Sequence, residues 1–225
     1  MKKLVLFVEG DGDEEAVPVL VKRLITDLNL WSDLQLDPAP FRIGGTSAVL
    51  GSEKKLQRWS KHLQAACKRP GTGGILQILD GDARNFCAIQ SASQLASRAR
   101  QVGAGAVFSF ACVFACREYE TWLVAGIESL AGKPFKDGRT GVNPGSKHAY
   151  TDLEQAPRDA KSALGEFMPG KYKPTTDQKP LTELVELEAI RRCNLRSFRR
   201  LENALRQLAQ AFQTGQHVST PAAEG

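Results

Sequence analysis

The stretch FVEGDGD, Phe7–Asp13, is the most informative part of the sequence for predicting the fold. An apolar β-type run ends here in carboxylates and glycines, and the same change recurs in ILDGD, Ile78–Asp82. If the two runs are neighbouring strands, Glu9, Asp80 and Asp82 converge at one edge of a sheet. Carboxylates crowded in this way repel one another at neutral pH and favour a bound cation. The pattern therefore predicts a Mg²⁺ or Mn²⁺ site for phosphoryl-transfer chemistry.

Strand-like and helix-like segments alternate through the first half of the chain. Ile75–Leu79 and Ala106–Cys116 are apolar runs typical of buried strands, and segments with helical spacing of apolar residues separate them. Leu34–Ile43 is expected at a sheet edge because Pro38 and Pro40 interrupt it. This alternation predicts an α/β fold with a mainly parallel sheet flanked by helices.

The second half predicts a loop-rich and helical extension. Glycines and prolines punctuate Lys133–Pro180, with a short helix expected at Asp159–Gly165 and another helix at Leu181–Arg192. Heptad-like spacing over Phe198–Phe212 predicts the last helix. The predicted organisation is an α/β domain over residues 1–130, an extension packed on it over 131–213, and a disordered tail over 214–225.

Composition excludes several classes of protein. The 30 Lys and Arg against 25 Asp and Glu give a net charge of +5, which permits an anionic partner without requiring one. No apolar run is long enough to cross a bilayer, so no membrane association is expected. The five cysteines are scattered without a CxxC pair, which argues against structural zinc and fits reduced thiols in the cytoplasm.

Each candidate acid at the first two strand ends has a structural alternative. Asp13 or Glu9 could cap the helix that follows, and Asp80–Asp82 could be an ordinary Asp-Gly turn. In an extended segment, however, Asp80 and Asp82 would point to the same side and could share an ion. Gly81 would let the backbone approach that ion or a phosphate closely.

A third apolar run also ends in charge, at Arg117-Glu118-Tyr119-Glu120. Glu118 comes directly after the run and is the favoured additional metal ligand, with Glu120 as the alternative. Gly44–Ser47 could cradle a phosphate, but it lacks the P-loop lysine pattern, so a plain turn is favoured.

Basic side chains would complete such a site, since metal-assisted hydrolysis benefits from a further cationic donor. Lys173 is the catalytic candidate, and Lys171 and Lys179 are candidates for nucleic-acid binding. A denser cluster for nucleic-acid binding is Arg196, Arg199 and Arg200, which would share a helix face and could track a phosphate backbone. A solvated helix face or a docking surface for an acidic partner explains the cluster equally well.

Val8-Glu9-Gly10, followed downstream by Asp80-Gly81-Asp82, resembles the Toprim superfamily, which includes topoisomerase and primase catalytic domains and the OLD-family nucleases. A closer likeness is to a family of small stand-alone Toprim-like bacterial proteins. Further segments carry that likeness, namely Arg117–Trp122, Tyr172–Gln178 and Ser197–Leu201.

The resemblance implies a Toprim-like fold in which Glu9, Asp80 and Asp82 bind metal, with Asp13 and Glu118 or Glu120 as further acids. It implies a Mg²⁺- or Mn²⁺-dependent nuclease, or nuclease-like subunit, that works on nucleic acid with an AAA- or ABC-type ATPase in anti-phage defence. The first loop is more acidic than the usual pattern. No tyrosine matches that of topoisomerases, so DNA relaxation is not expected.

Two other functions remain open. The acids could hold a structural cation in a non-catalytic, regulatory subunit of an ATPase complex. They could also serve a phosphohydrolase that acts on a small phosphate ester.

Overall fold

The computed structural model describes residues 2–83 and 86–221. Within them, strands form one sheet in the order β2-β1-β4-β5-β6, with β3 also beside β1, and every pairing is parallel. The strands are β1 Lys3–Val8, β2 Gln35–Leu36, β3 Phe41–Arg42, β4 Thr72–Asp80, β5 Ser109–Ala115 and β6 Ser219–Thr220. The chain therefore has the predicted α/β fold.

Helices connect and cover these strands. They are α1 Asp11–Asp27, α2 Thr46–Leu50, α3 Glu53–Cys67, α4 Ala88–Gln101, α5 Glu120–Ala125, α6 Ile127–Leu130, α7 Ala160–Glu166, α8 Lys179–Leu184, α9 Leu187–Arg192 and α10 Arg196–Thr214. A single π turn, Pro174–Gln178, leads directly into α8.

Both faces of the sheet are buried. Side chains alternate along β1, so that Leu4 and Leu6 belong to the core beneath α1 and α10, whereas Val5 and Phe7 belong to the core beneath α3 and α4. This two-sided burial explains why the strands are uninterrupted apolar runs in the sequence. It also leaves the ends of the strands as the place where polar groups can collect.

The edge of the sheet beside β1 is interrupted, as expected. β2 pairs with the start of β1 and β3 pairs with its end. Pro38 and Pro40 lie between these two short strands, because proline cannot donate a hydrogen bond to a neighbouring strand.

Three local predictions need correction. The turn expected at Gly44–Ser47 is shorter, because α2 begins at Thr46. The single helix expected at Leu181–Arg192 is two helices, since Val185 has an extended backbone conformation that ends α8. Tyr172–Gln178 belongs to the stretch predicted to be loop-rich, but Pro174–Gln178 forms the π turn.

The tail also differs from the prediction. The disordered segment expected over 214–225 is wrong for Ser219 and Thr220, which form β6 and pair with β5. Gly215 has a φ of +73° and lets the chain turn back after α10. Pairing with β6 then satisfies backbone groups that would otherwise lie unpaired at the edge of β5. Residues 222–225 lie outside the described residues.

The segments after residue 130 share the core of the sheet. Phe198, Leu201 and Leu205 of α10 lie in the same buried cluster as Leu76 of β4 and Val113 of β5. The predicted extension over 131–213 thus covers one face of the sheet and brings its own side chains to the carboxyl ends of the strands.

Candidate functional site

Glu9 and Asp80 meet at the carboxyl edge of the sheet. Glu9 follows the last residue of β1, and Asp80 is the last residue of β4, the neighbouring parallel strand. Oε2 of Glu9 accepts a hydrogen bond of 3.1 Å from the backbone N–H of Asp80. Oε1 of Glu9 lies against Gly45, where an added Cβ atom would come within 2.5 Å of it. These two acids therefore converge as the sequence predicts.

Asp80 is buried and both of its carboxylate oxygens have partners. Oδ1 accepts a hydrogen bond of 2.8 Å from the backbone N–H of Tyr119, which lies beyond the end of β5. Oδ2 lies 3.2 Å from Nζ of Lys161. Asp80 thus links the ends of β4 and β5 to α7.

Lys161 is the cation at the centre of the site. Besides Asp80, its ammonium lies 3.1 Å from Oε1 of Glu118 and 3.9 Å from Oε2 of Glu120. Its backbone N–H also donates to Oε2 of Glu118, at 3.1 Å. One side chain therefore holds three carboxylates together, although no feature of the sequence pointed to it.

Glu120 is the most deeply buried acid of the group, with 1% of its surface exposed. Its Oε1 accepts a hydrogen bond of 2.8 Å from the hydroxyl of Tyr172. Its Oε2 has no hydrogen-bond partner among the residues that the structure describes. Burial, opposed by Lys161 and Tyr172, raises the pKa of Glu120 to about 7.

Asp13 caps α1 and also reaches the C-terminal half of the chain. Its Oδ2 accepts from the backbone N–H of Gly10 at 3.1 Å, and its Oδ1 accepts from Nε2 of Gln178 at 2.7 Å. Gly12 makes this approach possible, because a Cβ atom there would lie 2.1 Å from Oε1 of Gln178 and 2.9 Å from Cβ of Pro174. The capping alternative for Asp13 is therefore present, together with a long-range contact.

Asp82 does not share the position of Asp80. β4 ends at Asp80, so Asp82 is outside the strand and is exposed, whereas Asp80 is buried. The expectation that Asp80 and Asp82 point to the same side of one extended segment is therefore wrong, because the strand does not extend to Asp82. The negative charge of Asp82 nevertheless acts on Glu9.

The acids influence one another electrostatically. Burial raises the pKa of Glu9, and the charges of Asp13 and Asp82 raise it further, against the effects of the Asp80 backbone N–H and Lys161. Burial also raises the pKa of Asp80 well above its usual range, against the effect of Lys161. Burial acts to lower the pKa of Lys161, but its carboxylate neighbours raise it above the usual value, so its ammonium is charged at neutral pH.

The donor chemistry of the site fits a hard divalent ion, since it consists of carboxylate oxygens and includes the buried Oε2 of Glu120, which has no hydrogen-bond partner within the described residues. The ammonium of Lys161 already lies among the carboxylates of Asp80, Glu118 and Glu120. Across residues 2–83 and 86–221, no three His, Cys, Asp or Glu side chains form a group that could hold a metal ion. A divalent ion would therefore have to displace Lys161 from at least one carboxylate.

The predicted lysines lie around this site without touching the acids at the strand ends. Lys171 and Lys173 are exposed, and the backbone N–H of Lys173 donates to Oδ2 of Asp177 at 2.8 Å. Lys179 pairs with Glu15 on the surface at 3.1 Å. Lys161 instead occupies the position of a basic side chain close to the acids.

The three arginines of the predicted face contact four different partners. Arg196 pairs with Glu154 at 3.3 Å, and Arg199 hydrogen-bonds to Asn194. Arg200 donates hydrogen bonds to Gln207 and Thr220. A role for these arginines in nucleic-acid binding stays a prediction.

Three contributors to the site lie far along the chain from the acids that they contact. Tyr172 and Gln178 belong to the segment that only the family likeness connected to the site. Lys161 lies 81 positions after Asp80, in a helix of seven residues with no charge pattern of its own. Local sequence therefore carries no signal that could have identified it.

Comparisons with known proteins identify a family but name no activity. No helix among residues 2–83 and 86–221 is long and apolar enough to cross a membrane. No curated protein and no solved structure matches the chain significantly. A family model described as a domain of unknown function, DUF4276, matches residues 8–206, a span that includes every acid and the lysine of the site. The chain belongs to the DUF4276 family.

Proposed function

We propose that this chain is a Toprim-like, metal-dependent nuclease that hydrolyses phosphodiesters at the carboxyl edge of its sheet. The observation that carries the proposal is the contact between Glu9 and Asp80 at the ends of adjacent parallel strands. Glu118 and Glu120 reach the same place through Lys161. Ligand sites of open α/β sheets lie at this edge, and converging carboxylates are the donors that Mg²⁺ and Mn²⁺ prefer.

The proposed roles follow from the position of each side chain. Glu9, Asp80 and Asp82 would hold the ion, with Asp13 and Glu118 or Glu120 nearby. When bound, Mg²⁺ or Mn²⁺ supplies Lewis-acid polarisation of the phosphate and an activated water. The side chain of Lys161 is 40% exposed and its ammonium lies beside Asp80, so it can turn from the acids and donate a hydrogen bond to a phosphate oxygen.

The partners proposed are nucleic acid and an AAA- or ABC-type ATPase, in keeping with the resemblance to proteins of anti-phage defence. A cytoplasmic location is proposed as well. Its support is that the five cysteines, all within the described residues, are free thiols, which is usual where the compartment is reducing.

The decisive experiment is cleavage of mixed single- and double-stranded DNA and RNA with Mg²⁺ or Mn²⁺. Glu9→Gln and Asp80→Asn should each lower the rate by at least about 100-fold, because each removes a carboxylate from the reacting centre. Glu166→Gln is the matched control, since Glu166 is an exposed acid at the end of α7. Circular dichroism establishes that the variants are folded. Cleavage at wild-type rates in both site variants would overturn the proposal.

A second function is favoured by the position of Lys161. Because an ammonium already lies among Asp80, Glu118 and Glu120, the acids can serve as a purely structural ion network in a non-catalytic subunit of an ATPase complex. That function predicts no turnover of any nucleic acid and no change in melting temperature when Mg²⁺ or Mn²⁺ is added. The nuclease predicts turnover and a rise in melting temperature.

A further inference from the structure

A cavity of about 370 Å³ opens beside Glu9, on the side of the site away from Lys161. Its lining includes Glu9, Arg42, Gly44, Arg58, Trp59 and His62. The volume is at the lower end of the range for small-ligand sites, so it suits a group the size of one nucleotide. The cavity is separate from the lysines and arginines for which the sequence predicts nucleic-acid contacts.

Two arginines give one wall of the cavity a positive character, and His62 adds an imidazole whose pKa is lowered by burial and by Arg58. Arg58 and His62 are four residues apart on α3, so they lie on one face of that helix. Arg42 comes from β3 and pairs with Asp11 at the start of α1. Arg58 has no hydrogen bond or ion pair within the described part of the chain. Its exposed guanidinium is therefore available to a ligand.

The wall that carries these groups is rigid. Trp59 is buried, and its Nε1 donates a hydrogen bond of 2.7 Å to Oε1 of Gln77 in β4. The ring of Phe41 lies between Phe7 and His62, with centroid distances of 5.2 and 6.3 Å. Arg42, Arg58 and His62 thus project from packed elements, and a rigid support reduces the entropy lost when a ligand binds.

The position of the cavity indicates its ligand. A phosphate held by Arg42 and Arg58 would lie next to Glu9, which is also at the proposed reacting centre. Guanidinium groups recognise phosphate through paired, charge-assisted hydrogen bonds. A strand that continues beyond the cleaved bond carries a further phosphate, and the cavity beside Glu9 offers that phosphate two guanidinium groups.

We propose that this cavity, called here the arginine pocket, binds a backbone phosphate of a nucleic-acid strand adjacent to the phosphodiester that is cleaved. The inference rests on the proposed nuclease function, which it deepens by assigning the substrate contact. Arg42 and Arg58 bind the phosphate, and His62 supplies a further hydrogen-bond donor.

The test is equilibrium binding of a fluorescein-labelled single strand of about 12 nucleotides, measured by fluorescence anisotropy in EDTA so that no cleavage occurs. Arg42→Gln and Arg58→Gln should each weaken binding by about tenfold, as expected for the loss of one charge-assisted contact. Each should also reduce the dependence of log K on log salt by about 0.7, the value for one phosphate contact with a single strand.

Arg206→Gln is the matched control. It removes the same charge from the exposed surface of α10, which covers the other face of the sheet. Within the described residues its side chain makes one hydrogen bond, of 3.3 Å to Asn203, and no ion pair. Its binding and salt dependence should equal those of the wild type. If Arg42→Gln and Arg58→Gln also equal the wild type, or if the wild type binds no strand at all, the arginine pocket is not a nucleic-acid site.

A competing ligand of the same chemistry is a small phosphate monoester. Binding of a nucleoside monophosphate as tight as that of the oligonucleotide, with the same dependence on Arg42 and Arg58, would overturn the assignment to a nucleic-acid backbone. Competition by the monophosphate at least about tenfold weaker than by an unlabelled strand supports it.

The binding assay also separates this inference from the nuclease proposal. If the wild type binds through Arg42 and Arg58 but cleaves nothing with any metal, the nuclease proposal fails and the arginine pocket stands. If cleavage requires Glu9 and Asp80 while both arginine variants keep wild-type binding and KM, the arginine pocket alone fails.

Discussion

The two halves of the sheet's carboxyl edge differ in how their charges are paired. The closed half consists of Asp80, Glu118, Glu120 and Lys161. The open half consists of Glu9, Arg42, Arg58 and His62. In the closed half one ammonium contacts three buried carboxylates. In the open half the acid and the arginines border a cavity and reach solvent.

The same sheet edge therefore contains one group of charges that are paired within the protein and another group that faces a cavity. Buried carboxylates need a partner already in place, because an unpaired charge in a low-dielectric interior is costly. Side chains bordering solvent can stay without a protein partner and remain ready for a ligand. Glu9 contacts the backbone of Asp80 and so lies at the junction of the two halves.

The largest effect is expected in the closed half. Lys161→Met leaves three carboxylates without their cation, and we expect it to lower the free energy of unfolding by about 3 kcal/mol. This is at the low end for loss of a buried partner because the lysine side chain is 40% exposed. Urea unfolding at pH 7 in EDTA measures the change.

Lys179→Met is the control for that variant, because Lys179 also pairs with a carboxylate, but on the surface. It should cost less than about 1 kcal/mol. Added Mg²⁺ should restore part of the stability of Lys161→Met if the freed carboxylates can hold a divalent ion. Equal, small losses for both lysines would remove the distinction between the two halves.

An effect of up to similar size concerns the pH dependence of stability. The pKa of Glu120 is about 7 in the folded protein against an ordinary value of 4.5, so the folded state binds more protons between these values. Stability should therefore fall as pH rises from about 4.5 to about 7 and then level off, by up to about 3 kcal/mol from this group. Glu120→Gln should remove this contribution in EDTA-containing buffer.

The measurement is the difference in unfolding free energy between wild type and Glu120→Gln across that pH range. Glu128→Gln, a change of another acid that follows α5 along the chain, serves as the control and should parallel the wild type. A constant difference between wild type and Glu120→Gln at every pH would mean that Glu120 titrates normally.

The smallest change in stability is expected for Gly45→Ala, in the open half. The same substitution is expected to have a larger effect on metal-dependent cleavage. In Gly45→Ala the new Cβ atom would lie 2.5 Å from Oε1 of Glu9, and the flexible carboxylate can move away. Stability should change by less than about 1 kcal/mol, while metal-dependent cleavage should fall by at least about tenfold because Glu9 is displaced. Gly170→Ala, where nothing lies within 4 Å of the added atom, should keep both properties.

The strands and the acids at their ends could be predicted because their signals are local. The apolar run that stops at Asp80 predicts both the presence of a strand and the residue at which it ends. The interrupted edge at Pro38 and Pro40 is likewise a consequence of the chemistry of one residue type.

Other parts could not be predicted because tertiary contacts determine them. β6 has two residues, too few for any periodicity, and exists because β5 has a free edge. Lys161 acquires its role only when α7 packs against α5. The burial of Glu120 and the exposure of Asp82 likewise depend on where neighbouring segments pack, which the alternation along the chain does not state.

During synthesis, Lys161 is added to the chain later than the three acids that it contacts. Synthesis proceeds from the N-terminus, so Asp80, Glu118 and Glu120 leave the ribosome well before the ammonium that neutralises them. Gln178, the partner of Asp13, follows later still, 165 positions after it. Until those residues emerge, the carboxyl edge of the nascent sheet carries uncompensated negative charge and cannot be buried. The acids at the strand ends therefore depend on the last-made third of the chain for their partners.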